Sequence, residues 1–275
     1  MRKHGRLTHP QSGCRYQLFA VALTVLLLGT APVGATTLDF STDDGGTPLV
    51  NGQSITTPPF FGNLVNLSFS FPGSPGAPGL AIFDSTPGVN SEDQDLQVKL
   101  GNILVLQDPD FPDKTVGVFD TPGDTDTLDF SNNPATIIFD FLSPSRLLSI
   151  DLVDADSPNL TTVKMTDTFG RMRTYTVGDN FSFDINKIAP GTGNGYQTLD
   201  LTTLAVQVGE GGGMASAAED VGFNPLSVLR LEVAIIGSVG IDNLSFVPEP
   251  SAGGMLGLGL LGLLPLGWRR WRRGR

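Results

Sequence analysis

The chain has 275 residues, of which 40% are hydrophobic and 16% charged, and its formal net charge at pH 7 is −11. Residues 36–247 contain no histidine, cysteine or tryptophan, because these types occur only towards the two ends, as His4, His9, Cys14, Trp268 and Trp271. A Ser-His-Asp or Cys-His nucleophile system therefore cannot form in this region, and a zinc site lacks its usual nitrogen and sulfur ligands.

Residues 36–247 are strongly acidic. They hold eight basic residues against 27 acidic ones, a net charge of −19, and 23 of the 28 acidic residues in the whole chain are aspartate. Such a surface repels nucleic acid and anionic membrane surfaces, so no nucleic-acid partner is expected. Aspartate favours turns and oxygen-rich cation sites over helices.

Residues 1–35 have the pattern of a secretory signal peptide. Met1–Tyr16 carries four basic residues and no acidic one, Leu18–Leu28 is an apolar core, and Val33-Gly34-Ala35 supplies the small residues that signal peptidase requires. We expect export and cleavage after Ala35. The alternative is an uncleaved membrane helix, for which this apolar core is short.

Residues 36–246 are predicted to form one all-β domain. Apolar runs of strand length recur between glycine, proline, asparagine and aspartate, and no helical stripe exceeds two turns. The glycine-rich segment Gly209–Asp220 is interpreted as a loop. The spacing favours a two-sheet antiparallel sandwich of jelly-roll type, with a closed barrel as the alternative. The predicted strands are Thr37–Phe40, Leu64–Phe71, Leu80–Phe83, Leu96–Leu106, Thr127–Phe130, Thr136–Phe141, Leu147–Val153, Thr161–Met165, Met172–Val177, Asn180–Ile185, Tyr196–Leu204, Val228–Ile236 and Val239–Phe246.

Sugar recognition normally uses an aromatic platform beside polar groups. Apart from phenylalanines, residues 36–247 offer Tyr175 and Tyr196. Tyr175 lies within a predicted strand, whereas Tyr196 follows the flexible sequence Gly191-Thr192-Gly193-Asn194-Gly195. Tyr196 is therefore the candidate ligand-binding residue, and the alternative is a tyrosine that covers the edge of the core.

Glycoside hydrolysis by two carboxylates needs no histidine, so composition does not exclude it. The available glutamates are Glu92, Glu210, Glu219 and Glu232. Their spacing along the chain does not show whether two of them form a catalytic pair, because the distance between two catalytic carboxylates is set by the folded structure. The preferred interpretation is a protein without catalytic residues. A secreted glycoside hydrolase or polysaccharide lyase is the alternative.

The C-terminal region, residues 247–275, has three parts. Val247-Pro248-Glu249-Pro250 precedes an uncharged apolar stretch at 252–268, and an arginine-rich tail follows at 269–275. At about 1.5 Å per helical residue the stretch just reaches across a hydrocarbon core of roughly 30 Å. Positive residues resist translocation, so a membrane stop is predicted at Arg269, Arg270, Arg272 and Arg273. The alternative is an ordinary C-terminal membrane anchor.

This order of a Val-Pro-Glu-Pro motif, one apolar span and an arginine-rich terminus resembles the PEP-CTERM sorting signal. In Gram-negative bacteria that signal is recognised by exosortase, a membrane protease-transpeptidase. The resemblance implies a transient intermediate anchored in the inner membrane, then cleavage near Pro248–Pro250 and transfer to the cell surface or an exopolysaccharide matrix. The implied partners during export are exosortase and signal peptidase.

The rhythm of turns and strands at Ile82–Ser85, Ile150–Asp154 and Ile241–Phe246 is similar to that of galactose-binding-like jelly rolls in carbohydrate-binding modules. That resemblance implies neighbouring first and last strands, which makes Asp39, Asp84 and Asp242 candidate calcium ligands. The alternative is that these aspartates form turns and strand caps. The expected function is that of an exported surface or biofilm-matrix protein with a non-catalytic, carbohydrate-binding sandwich.

Overall fold

The computed structural model describes residues 34–55, 61, 64–70, 79–89, 96–106, 134–155, 161–177, 196–203, 207–208, 214–235 and 239–249. These ranges contain strands and turns and no helix. The twelve strands are β1 (Thr36–Leu38), β2 (Val65–Ser70), β3 (Leu80–Asp84), β4 (Asn102–Leu106), β5 (Ala135–Val153), β6 (Thr162–Asp167), β7 (Met172–Val177), β8 (Tyr196–Asp200), β9 (Gln207–Val208), β10 (Met214–Glu219), β11 (Val228–Ile235) and β12 (Gly240–Pro248).

Ala35–Glu249 forms one compact unit. Most of the expected signal peptide and the apolar stretch at 252–268 lie outside the described residues, and so do the predicted strands at 127–130 and 180–185. Within the ranges given above, no helix is long and apolar enough to cross a membrane.

All strand pairs are antiparallel, and they form one connected sheet in the order β3-β4-β12-β5-β11-β6-β7-β10-β9. Three further strands pair antiparallel outside this path: β1 with β12, and β2 and β8 with β5. The predicted all-β antiparallel class is confirmed. The first and last strands are neighbours, because Thr36 pairs with Phe246 and Leu38 with Leu244.

The 19-residue strand β5 joins two parts of this sheet. Its first part pairs with β2 and β11, and its second part pairs with β8 and β12. The sequence predicted two strands here, because proline lacks the N–H that a ladder needs. Pro144 is tolerated because the register with β11 shifts at this point. Its carbonyl accepts a hydrogen bond from Glu249 N at 2.7 Å.

The hydrophobic core is shared by both parts of the sheet, which gives a sandwich-like arrangement. Phe139 and Phe141 from the first part of β5 belong to the same buried cluster as Ile150 and Phe246 from the second part of the sheet. Phe141 meets Phe246 edge to face, with ring centroids 5.0 Å apart. Aromatic pairs prefer this geometry because the positive ring edge faces the negative ring face.

A second, smaller apolar cluster covers the other face of the sheet at β3, β4 and β5. Alternate residues of these strands point to opposite faces. Leu152 joins the main core, whereas Val153 joins the second cluster together with Phe83 and Ile103. Leu96 and Val98, which precede β4, cover this cluster.

Two sequence interpretations are corrected. The predicted strand Leu96–Leu106 begins only at Asn102, because Gly101 has φ of +87° and ends the preceding turn. Gly209–Asp220 is not a loop throughout, since Met214–Glu219 forms β10 along the edge of β7. Alanine and glycine are weak strand formers, and a partner strand decides their conformation here.

Candidate functional site

A row of polar residues crosses the sheet on the face of the second cluster. Asp242 of β12 pairs with Asp151 of β5, which pairs in turn with Thr198 of β8. Asn243, at φ +47°, marks a register shift in β12, and its Nδ2 donates to Asp151 Oδ2 at 2.8 Å. Thr198 Oγ1 donates to Asp151 Oδ1. Both oxygens of the Asp151 carboxylate are therefore hydrogen-bonded.

Asp242 is the unusual member of this row. Its side chain is buried, with 1% exposure, and Oδ1 has no hydrogen-bond partner among the described residues. The pKa of Asp242 is raised to about 8, chiefly by burial and to a smaller extent by the negative charges of Asp151 and Asp39, against a hydrogen bond from the Asn243 backbone that lowers it. Asp242 is consequently protonated in the folded protein at neutral pH.

The strands pack tightly beside Asp242. A Cβ added to Gly240 would lie 2.4 Å from Ile103 Cδ1 and 3.3 Å from Val153 Cβ, so glycine is needed there for space. Close packing of this kind excludes the water that would otherwise solvate a carboxylate.

The three aspartates predicted to bind calcium are only partly brought together. Asp39 follows β1, is exposed, and lies near enough for its charge to act on Asp242. Asp84 ends β3, two strands away from β12, and its Oδ1 accepts a hydrogen bond from Thr86 N at 2.9 Å. Across the described ranges, no three His, Cys, Asp or Glu residues are arranged to hold a metal ion.

Sequence reasoning missed Asp151, which is the residue nearest to Asp242 in register. The available signal was its position inside the apolar run from Ile150 to Val153, where a charged residue requires partners. Those partners come from β8 and β12, and a sequence alone does not show which strands pair.

Tyr196 begins β8 opposite Val153, as it begins the predicted strand Tyr196–Leu204, and it packs half-buried against the second cluster. Tyr175 is fully buried within β7, as its predicted strand implied, and its hydroxyl donates to the Thr203 carbonyl. The described residues expose another aromatic ring instead: Phe169, at the turn between β6 and β7, is 76% exposed.

The proposed sorting motif begins inside the folded body. Val247 and Pro248 pair with Arg146 and Ser145 at the end of β12, and Glu249 is hydrogen-bonded to Pro144. Pro250 and the arginines at 269, 270, 272 and 273 lie outside the described residues. Ala35, the expected signal-peptidase site, is exposed and directly precedes β1.

The family of the PEP-CTERM protein-sorting motif matches residues 246–273. The chain carries this sorting motif. It marks an exported protein that is sorted by exosortase to the surface or the extracellular space of a Gram-negative bacterium. Neither a curated protein nor a solved structure matches the chain.

Proposed function

We propose that this protein is a non-catalytic component of the cell surface or of an exopolysaccharide matrix, exported with a temporary membrane anchor. The PEP-CTERM motif at residues 246–273 carries the proposal. The charge of −19 on residues 36–247 supports it, because such a body stays soluble through self-repulsion and needs cations to approach an anionic polymer.

The absence of catalysis is proposed from the state of the carboxylates that the structure describes; Glu92 and Glu210 lie outside these residues. Asp151 and Asp242 are buried, at 5% and 1% exposed, so a polysaccharide chain does not reach them. Glu219 and Glu232 form ion pairs with Arg173 and Lys164 at 3.0 and 2.8 Å. Glycosidases instead present two carboxyl groups on either side of an accessible bond.

Calcium enters the proposal as a bridging ion between exposed aspartates and acidic sugars. Oxygen ligands suit this hard cation, and Asp39 and Asp44 are exposed in the segment that follows β1. The hydrogen bonds that Asp39 Oδ1 accepts from Ser41, at 2.8 and 3.1 Å, hold its carboxylate in place. Among the described residues these bonds do not involve Oδ2, which can therefore face a cation.

The test is binding of the purified, processed protein to exopolysaccharide extracted from the native host. We expect sedimentation with the polymer in calcium, loss of binding in chelator, and no release of reducing sugar. Asp39→Asn should weaken binding, with Asp43→Asn as the matched control, because Asp43 Oδ1 holds its own turn through Gly45 N and Thr47 N. Release of reducing sugar would favour the hydrolase or lyase instead.

A further inference from the structure

Large exposed apolar side chains are unevenly distributed over the described residues. Val50 and Val89 lie in loops next to β3. The other five lie near Pro144, where the register shift against β11 bends β5, and where β6–β7 and β10–β11 are connected. We call these five the corner surface: Leu142, Phe169, Met172, Val221 and Leu226.

Strand pairing brings the segments of the corner surface together. Ser145, just after the bend of β5, pairs with Val228 at the start of β11, and Val228 pairs with Asp167 at the end of β6. The loops that carry Phe169, Val221 and Leu226 extend from these positions. Their clustering is therefore fixed by the sheet.

One buried carboxylate joins the two segments of the corner surface that carry Phe169, Val221 and Leu226. Asp167 is 2% exposed and accepts hydrogen bonds from Phe169 N at 2.8 Å, Arg171 Nε at 2.8 Å and Asn224 N at 2.9 Å. These bonds join the β6–β7 turn to the loop before β11. The guanidinium of Arg171 also lies 4.7 Å from the centre of the Phe169 ring.

The exposure of these residues is too large to be explained by the fold alone. Phe169 is 76% and Val221 98% exposed, although a rigid turn could have carried polar residues at both positions. Clustered exposed apolar side chains on a soluble domain usually mark a binding surface.

The charge around the corner surface is less negative than that of the body as a whole, so an anionic membrane repels this surface least. All four arginines of residues 36–247 lie on the strands and turn around the corner, at positions 146, 171, 173 and 230. Three of them pair with acidic residues, namely Asp167, Glu219 and Asp140. The corner is therefore close to neutral, whereas the region as a whole has a charge of −19.

Both ends of the folded body leave it beside the corner surface. Thr36 pairs with Phe246, and Pro248 pairs with Ser145 at the bend of β5. The apolar stretch begins at residue 252, and three residues of extended chain reach at most about 11 Å from Glu249. Covalent connection alone thus keeps the corner close to any bilayer that this stretch enters.

We propose that the corner surface is a lipid-docking surface, with Phe169, Val221 and Leu226 entering the headgroup region of the inner membrane before the sorting cut. This inference rests on the sorting step of the proposed function. Apolar side chains with a neighbouring arginine suit the boundary between headgroups and acyl chains. Docking holds residues 247–249 at the depth where a membrane protease acts, and cleavage then releases the body.

The experiment uses the full chain reconstituted into vesicles of phosphatidylethanolamine and phosphatidylglycerol. Cys14→Ser removes the native thiol, and single cysteines are placed by Phe169→Cys, Val221→Cys or Leu226→Cys for an environment-sensitive dye. Val50→Cys and Val89→Cys are matched controls, because these valines are also exposed, at 59% and 53%. Spin-labelled lipid should quench the dye at 169, 221 and 226 and leave it unchanged at 50 and 89.

A second variant tests the apolar contact itself. Phe169→Ser with Val221→Ser should at least halve the quenching at Leu226→Cys, while circular dichroism stays unchanged because both side chains are exposed. Unchanged quenching in this variant overturns docking by these side chains. Equal quenching at the control positions also overturns the proposal. So does dye fluorescence that changes with the amount of protein per vesicle but is not quenched by the spin-labelled lipid.

Failure of docking and failure of anchoring are distinguished in the same sample. The only tryptophans of the chain are Trp268 and Trp271, so intrinsic fluorescence reports the C-terminal segment alone. Quenched tryptophans with unquenched dyes overturn the docking surface and leave export and sorting intact. Unquenched tryptophans show that the segment does not insert, and they contradict the membrane step of both proposals.

Discussion

Replacing Asp242 by asparagine should stabilise the protein at neutral pH. The pKa of this carboxyl is raised from 3.8 to about 8 in the folded protein, so between these values the unfolded chain has released a proton that the folded chain retains. The stabilisation that comes from the protonated Asp242 carboxyl is therefore complete below pH 4. It falls by about 1.4 kcal/mol per pH unit as the pH rises from 4 to about 8.

The size of the effect follows from the same two values. From pH 4 to pH 7 the single carboxyl lowers the free energy of unfolding by about 4 kcal/mol. Asparagine has nearly the same shape and does not ionise, so Asp242→Asn removes this loss. The difference in unfolding free energy between variant and parent should thus increase by about 4 kcal/mol over that range.

The assay is urea unfolding of residues 36–249 and of the variant at pH 4, 5, 6 and 7, each with calcium and with chelator. Other carboxylates titrate in both proteins and cancel in the difference. A difference that is flat with pH would refute the raised pKa. A variant that is less stable than the parent only in calcium would show that a cation, not a proton, neutralises Asp242.

Three further predictions concern the sandwich and its surface. Burial raises the pKa of Asp167, but hydrogen bonds from Asn224, Arg171 and Phe169 outweigh it and hold that pKa at about 2. Asp167→Asn should therefore lower the free energy of unfolding by about 2 kcal/mol at pH 7. The parent should lose this stabilisation between pH 4 and pH 2, and a difference between parent and variant that does not change over this range would contradict the lowered pKa. Gly240→Ala should lower the free energy of unfolding by about 1–3 kcal/mol, because the added Cβ overlaps with Ile103. Adding Ile103→Val should recover part of this loss, measured by thermal unfolding of both variants. Unchanged stability of Gly240→Ala would contradict the close packing. Binding to extracted polymer should fall at least tenfold in excess chelator, and binding that ignores chelator would remove the cation bridge.

The fold class followed from sequence because it depends on local signals. Alternation in Met172–Val177 predicted β7 with its observed bounds, and turn residues between short apolar runs predicted antiparallel strands throughout. The long β5 did not follow, because Pro144 interrupts a pattern that only its partner strands sustain. β10 did not follow either, since its alanines become a strand only beside β7.

The candidate site was partly visible in the sequence. Asp39 and Asp242 were expected near each other as residues on the first and last predicted strands, and β1 does pair with β12. The register that places Asp151 opposite Asp242 is a property of the assembled sheet. Exposure of Phe169 rather than Tyr196 also depends on tertiary packing, because Tyr196 covers the second apolar cluster.

Mass spectrometry of the intact protein from its native Gram-negative host shows whether export removes both ends of the chain. We expect a product that is recovered outside the cytoplasm, begins at Thr36 and ends within residues 248–250, with any group transferred by exosortase attached there. An untrimmed chain of 275 residues in the cytoplasmic fraction would contradict it.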